Sequence, residues 1–201
     1  MKITVVDYGA GNLPSVERAL QSLGAETQRA TALEHLRGAE RIVFPGVGHF
    51  SAAITGLHGA NLFAPMREAY QKGVPILGIC VGLQALFASS EEAPGDVGLG
   101  LLPGEVKELP ATVKLPHIGW NQVRRVRESR LLGDLPADTY FYFAHSYAAT
   151  NEPGQTVAVC DHGTPFAAVV ESKNLSAVQF HPEKSGAAGA RVLRNFLESS
   201  R

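Results

Sequence analysis

Cys80 stands in Pro75-Ile76-Leu77-Gly78-Ile79-Cys80-Val81-Gly82-Leu83-Gln84, with a glycine two residues away on either side. Gly-x-Cys-x-Gly between an apolar strand-like run and an apolar helix-like run is the cysteine form of a nucleophile elbow, in which the reactive side chain sits on a tight strand-to-helix turn. Gly78 and Gly82 suit that turn because side chains there would collide across it. A free cysteine of pKa about 8.5 is only about 3% thiolate at pH 7, and a helix N-terminus favours the anion. Free cysteine is also among the most buried residue types, so a structural thiol is the alternative reading of this segment.

A thiol nucleophile needs a base. Of the seven histidines, His181 stands out, because His181-Pro182-Glu183 follows the apolar run Ala177-Val178-Gln179-Phe180. On an extended chain positions i and i+2 point to one side, so Glu183 is placed to orient the His181 imidazole as the third member of a triad. Taken alone, a His-x-Glu pair is usually a solvated strand end; beside the elbow it carries more weight. Acyl transfer also needs donors for an oxyanion. Pro45-Gly46-Val47-Gly48 follows the strand-like run at 41–44, so the Val47 N–H, together with the N–H of Val81 just past the nucleophile, is a candidate donor. An ordinary turn is the plainer reading of that segment. Gln84, at i+4 from Cys80 on a helix, shares its face.

These residues need a scaffold that brings strand ends together. In the first half, strand-like runs at 3–6, 41–44 and 74–79 alternate with helix-like spacing at 16–23, 62–70 and 83–87, and Pro14 suits a first helical turn. Alternation of this kind predicts an α/β fold with a parallel sheet and helices on both faces, whose sites lie at the strand ends. After about residue 94 the pattern becomes β-rich, at 123–126, 140–143, 156–159, 166–170 and 177–180, with turn signals between and a last helix at 189–197. The shift reads as antiparallel strands added to the same sheet, making residues 1–201 one domain.

Composition narrows the function classes. A chain of 201 residues is large enough to bury a substantial core. Eighteen Lys and Arg against nineteen Asp and Glu leave a charge of −1, which gives no electrostatic footprint for nucleic acid or anionic membrane. The 45% hydrophobic content excludes disorder, and two cysteines exclude a disulfide scaffold and fit a reducing cytoplasm. Charged residues, at 18%, are sparse enough to suggest that a partner covers one face. The apolar run at the N-terminus is too short for a signal peptide, and the charge-free stretch 73–90 contains Pro75, Gln84 and three glycines, which favours a buried strand and helix over a membrane span. Two patterns fail. Gly9-Ala10-Gly11 has Pro14 where a dinucleotide fingerprint needs its third glycine, and Cys160-Asp161-His162 lacks a second ligand pair at zinc spacing, so neither nucleotide nor metal is expected and Cys160 reads as packing.

The elbow and the His-Pro-Glu segment together resemble the class I glutamine amidotransferases. The likeness narrows further: Asp7-Tyr8-Gly9-Ala10-Gly11-Asn12-Leu13, Pro45-Gly46-Val47-Gly48-His49-Phe50, Pro116-His117-Ile118-Gly119-Trp120-Asn121, His145-Ser146-Tyr147 and His181-Pro182-Glu183-Lys184-Ser185 are similar to blocks of the glutaminase subunits of imidazole glycerol-phosphate synthases, in the same order. Val81, Leu83 and Ile118 depart mildly from the residues more familiar there. The resemblance implies the three-layer fold of that class and a Cys80, His181 and Glu183 triad. It implies an oxyanion strand around Gly46, Val47 and Gly48 whose peptide flips to turn Val47 N–H inward. Gly48, Gln84, Ser146 and Tyr147 would hold glutamine, while Asn12, Trp120 and Lys184 would face a (β/α)8 cyclase subunit in a heterodimer. Trp120, the only tryptophan, also reads as a core filler. That cyclase would use ammonia in histidine biosynthesis. Two other functions are consistent with the fold: a glutaminase subunit of another ammonia-using pathway, and a catalytically silent docking module.

Overall fold

Strands buried on both faces read as unbroken apolar runs, whereas strands with one wet face alternate, and this chain contains both kinds. The computed structural model describes residues 1–199. Strands β1 (Lys2–Val6), β3 (Ile42–Gly46) and β4 (Ile76–Cys80) are buried almost throughout, and they form a parallel array with β2 (Glu26–Ala30) on its outer edge. Helix α1 (Leu13–Ser22) joins β1 to β2, with Pro14 in its first turn and Leu13, Val16 and Leu20 buried at helical spacing. The short α2 (Leu33–Leu36) leads to β3, and α3 (Phe50–Gly59) and α4 (Phe63–Gln71) connect β3 to β4. With the strand order β2-β1-β3-β4, the general right-handedness of such crossovers assigns α1 to one face of the sheet and α2 to α4 to the other, and α4 accordingly packs against α2 and α3, and α1 against the last helix.

Directly from β4 the chain turns into the one-turn helix α5 (Val81–Gln84), shorter and earlier than the 83–87 spacing predicts. Strands β5 (Val106–Glu108) and β8 (Tyr147–Ala149) form a small antiparallel pair apart from the main sheet. The main sheet continues through β6 (His117–Arg125), β7 (Asp138–His145), β9 (Thr156–Asp161), β10 (Pro165–Ser172) and β11 (Leu175–Val178). Nine strands lie in the order β2-β1-β3-β4-β11-β10-β9-β6-β7. The last strand in sequence is therefore inserted mid-sheet, parallel to β4 and antiparallel to β10. The pairing is parallel from β2 to β11 and antiparallel from β11 to β7, as expected of an α/β sheet with antiparallel strands added by the second half. Helix α6 (Gly186–Glu198) packs against α1 and buries Val192, Leu193, Phe196 and Leu197. Among the described residues no helix is long and apolar enough to cross a membrane.

Candidate active site

Parallel neighbours end side by side, so residues distant in sequence meet at their C-terminal edge. Gly46 on β3 is in register with Cys80 on β4, and Ile79 with Val178 on β11, which sets Gln179 and His181 beside the cysteine. Cys80 has φ +53° and ψ −112°. A side chain at positive φ is strained, at a cost of order 1–3 kcal/mol, and such strain concentrates at functional turns. Close packing fixes the turn. A Cβ on Gly82 would lie 1.8 Å from the Phe44 carbonyl oxygen, one on Gly78 would lie 2.9 Å from the Gly82 carbonyl oxygen, and one on Gly46 would lie 2.7 Å from the Gly82 nitrogen. The strand carrying Gly46 and Val47 is thus pressed directly onto the elbow.

His181 does not sit on the strand itself. β11 ends at Val178, and Pro182–Lys184 forms a 3-10 turn, so Glu183 reaches the imidazole by curling back, not by extended-chain alternation. The pair forms nonetheless: His181 Nδ1 is 2.9 Å from Glu183 Oε1, and both side chains are buried. Burial opposes a charge on His181, but hydrogen bonding to Cys80 and Glu183, and the charge those groups carry, outweigh it and hold the imidazole pKa above its ordinary value. Carboxylate behind, imidazole between and thiol in front is the order a nucleophile, its base and the orienting group require. Ser185 Oγ donates to the His181 carbonyl at 2.7 Å and accepts from Tyr142 N at 3.0 Å, tying this turn to β7.

A pocket of about 190 Å³ opens over the thiol, lined by Val47, Gly48, Cys80, Val81, Gln84, Ser146, Tyr147, His181 and Lys184, all named from the sequence, together with Glu92, Ala144 and His145. Glu183 lies behind His181, off the pocket wall. Gln84 is buried and its Nε2 donates to the Tyr147 carbonyl at 2.7 Å and to Gln179 Oε1 at 3.2 Å. Gln179 Nε2 in turn donates to Cys80 Sγ at 3.6 Å. Trp120 and Asn12 lie away from the pocket. Trp120 is 57% exposed, so it does not fill the core, and its ring stands edge-on to Tyr142, above which Lys184 Nζ also sits. Asn12 precedes α1 as its cap residue without a side-chain cap bond. Cys160 is buried in β9, and burial pushes its thiol up to about 12, the setting of an inert packing cysteine.

Sequence reasoning passed over Glu92, Gln179 and Tyr8. Glu92 lies in a loop, and its Oε2 accepts from Phe50 N at 2.7 Å at the start of α3, a tertiary contact without a sequence signal. Gln179 did leave one, as a lone amide inside an apolar run, since buried amides are rarely left without partners. Tyr8, also buried, has its hydroxyl against Gly46 and close to Val47 and Cys80, with no partner in hydrogen-bond geometry among the described residues.

Comparison with known proteins bears on this geometry. The family model described as glutamine amidotransferase class-I matches residues 4–199. The imidazole glycerol phosphate synthase subunit HisH of Moorella thermoacetica is 46% identical over 197 residues, covering 98% of this chain and 94% of the relative. Its counterpart from Methanothermobacter thermautotrophicus is 45% identical and from Xanthomonas campestris 47%, each covering 98% of both chains. Among solved structures, a glutamine amidotransferase superposes with TM-score 0.78 at 21% identity over 98% of this chain and 97% of the other, and the PurLQS assembly of Thermotoga maritima contains a chain at TM-score 0.73, likewise 21% identical with the same shares covered. At such identities the structural likeness concerns the fold alone.

Proposed function

The chain belongs to the class-I glutamine amidotransferase family, and from that premise we infer that it is the glutaminase subunit of an imidazole glycerol phosphate synthase. The observation that carries the chemistry is the buried His181–Glu183 pair, 2.9 Å apart, set against a cysteine on a strained elbow. Likeness near 45% across nearly the whole chain supports the assignment to this synthase over other ammonia-using assemblies.

In this reading Cys80 gives its thiol proton to His181, and its Sγ attacks the side-chain amide carbon of glutamine. The oxyanion is received by the backbone N–H groups of Val47 and Val81; one such donor is worth about 3 kcal/mol in the transition state. His181 passes a proton to the departing ammonia, leaving a glutamyl thioester, and then draws a proton from the water that releases glutamate. Glu183 holds the imidazole in orientation throughout. Gly48, Gln84, Ser146 and Tyr147 hold the amino-acid end of the substrate, and the Glu92 carboxylate on the same wall suits its ammonium group. Residues 1–201 act as one domain. Asn12, Trp120 and Lys184 face a (β/α)8 cyclase subunit, which takes up the ammonia.

Glutamate release from glutamine by wild type and Cys80→Ala, each with and without the cyclase and its ligand, tests this. Release that depends on the liganded cyclase and vanishes in the variant is the expected result. A folded chain that binds the cyclase yet releases no glutamate would make it a docking module, and activity indifferent to the cyclase would assign it to another partner.

A further inference from the structure

Two buried histidines that the reaction above does not use lie between the substrate pocket and the outer surface of the antiparallel strands. His117 on β6 and His145 on β7 are cross-strand partners, 5% and 6% exposed. Apolar side chains would fill the same space without the cost of burying polar rings, so their hydrogen bonds call for an explanation.

Only one placement of protons satisfies those bonds. The Tyr147 carbonyl can only accept, so His145 Nδ1, 2.9 Å away, carries the hydrogen. In a neutral ring the opposite nitrogen, Nε2, is then an acceptor, and it receives His117 Nδ1–H at 3.0 Å. His117 Nε2 must therefore accept as well, and it does so from Asn121 Nδ2 at 3.1 Å. The Asn121 amide is locked in that orientation, because Nδ2 also donates to the Asp161 carbonyl at 2.9 Å and Oδ1 accepts from Gln122 N at 2.8 Å. Ring planes are fixed too. His117 stacks between Phe143 at 4.8 Å and His162 at 4.1 Å, and His145 meets the edge of Phe166 at 5.0 Å. At its inner end the chain of bonds meets Gln84, which donates to the same Tyr147 carbonyl and connects through Gln179 to Cys80.

We propose that His117 and His145 are positioning residues of the glutaminase site: a one-directional hydrogen-bond relay from Asn121 to the Tyr147 carbonyl that holds the Ser146-Tyr147 corner in place to bind glutamine. The proposal rests on the glutaminase reading. Burial and neighbouring histidines depress both rings, His117 to about 4 and His145 to about 3, so both stay neutral at pH 7. A second proton on either would set N–H against N–H and break the relay. One strand serves two faces here, because Ile118 and Trp120 point outward from β6 between the inward residues His117 and Asn121.

The test is the glutamine KM and kcat of the chain saturated with its cyclase. His145→Phe keeps the ring and removes both bonds; it is expected to raise KM about three- to tenfold with kcat within about threefold. His145→Asn, which retains an N–H near the Nδ1 position, restores most of the KM, and His117→Phe raises it in the same direction. A KM that stays at the wild-type value while kcat falls with the folded fraction overturns the proposal. If wild type itself releases no glutamate, the glutaminase reading fails, and the relay is judged by nitrogen NMR of the chain at pH 7. Both rings as Nδ1–H tautomers, with a Tyr147 amide signal that moves in His117→Phe, uphold it; Nε2–H tautomers or an unmoved Tyr147 amide refute it.

Discussion

The two halves of the sheet build the same pocket by different means. On the parallel side, the Cys80 turn and the Gly46–Val47 segment are shaped by backbone pressed on backbone: Gly82 lies under the Phe44 carbonyl and Cys80 is held at φ +53°. On the antiparallel side, the corner at Ser146 and Tyr147 is paired with β5 on one side, where Leu109 N also donates to the Ser146 carbonyl at 2.9 Å, and is held on the other by side-chain hydrogen bonds from His145 and Gln84. The first device tolerates no added atom and fixes the Cys80 turn. The second is a set of single bonds that are individually modest, and so can be tuned without losing the fold. On the proposed mechanism, rigidity where bonds are made and broken, and adjustability where substrate is held, are thus divided between the two pairing modes.

The sharpest way to break this comparison is a single methyl group. Gly82→Ala places a Cβ 1.8 Å from a carbonyl oxygen and is expected to cost about 4 kcal/mol or more in urea unfolding. Gly154→Ala, in the loop before β9 with nothing within 4 Å, is expected to stay within about 0.5 kcal/mol. Equal effects would show that the elbow relaxes as freely as a surface loop. Next in size, Glu183→Gln removes the carboxylate that orients His181 and should lower kcat by about 10²–10⁴-fold with little change in KM. That split is the reverse of the one expected for His145, and a KM effect from Glu183→Gln would erase the division between the halves.

Smaller is the dependence of stability on pH, which belongs to the antiparallel side. His117 and His145 are held at about 4 and about 3, depressed first by burial and then by the neighbouring His162 and, for His145, by His117 and His181 as well. An unfolded histidine takes up its proton near pH 6.5. The contribution of both rings is therefore whole above about pH 6.5 and is lost progressively as pH falls toward 4. Urea midpoints should fall between pH 7 and pH 5, and the slope should flatten in a His117→Phe/His145→Phe double variant. Identical slopes in wild type and variant would remove the two histidines from the balance.

What the sequence reveals follows the same divide. Gly78, Cys80 and Gly82 are legible because a turn's steric rules act between near neighbours in the chain, and the strands at β1, β3 and β4 announce themselves as unbroken apolar runs. His181 and Glu183 are legible as a pair, although the 3-10 turn that joins them is not, since proline after a strand permits several continuations. Strand β2 escapes notice because Glu26-Thr27-Gln28-Arg29-Ala30 is polar, as a sheet edge allows. Helix α3 escapes because Phe50, Ala53, Ile54 and Leu57 are mixed with the small or β-branched Ser51, Ala52, Thr55 and Gly56, which blur its face. Glu92, Gln179 and the histidine relay take their meaning from partners across the sheet, and spacing along the chain carries no record of those.

The place of β11 has a consequence for how the protein is made. The ribosome delivers β4 and the Cys80 turn well before the strand that leads to His181, which must slot between β4 and β10. Until it does, β4 and β10 lack the strand that joins them, and Cys80 lacks the His181 imidazole beside it. Parallel pairing between segments so far apart in the chain is intrinsically slow to form, and this insertion is the one that closes the sheet. On the proposed mechanism a chain still emerging lacks its base and would consume no glutamine.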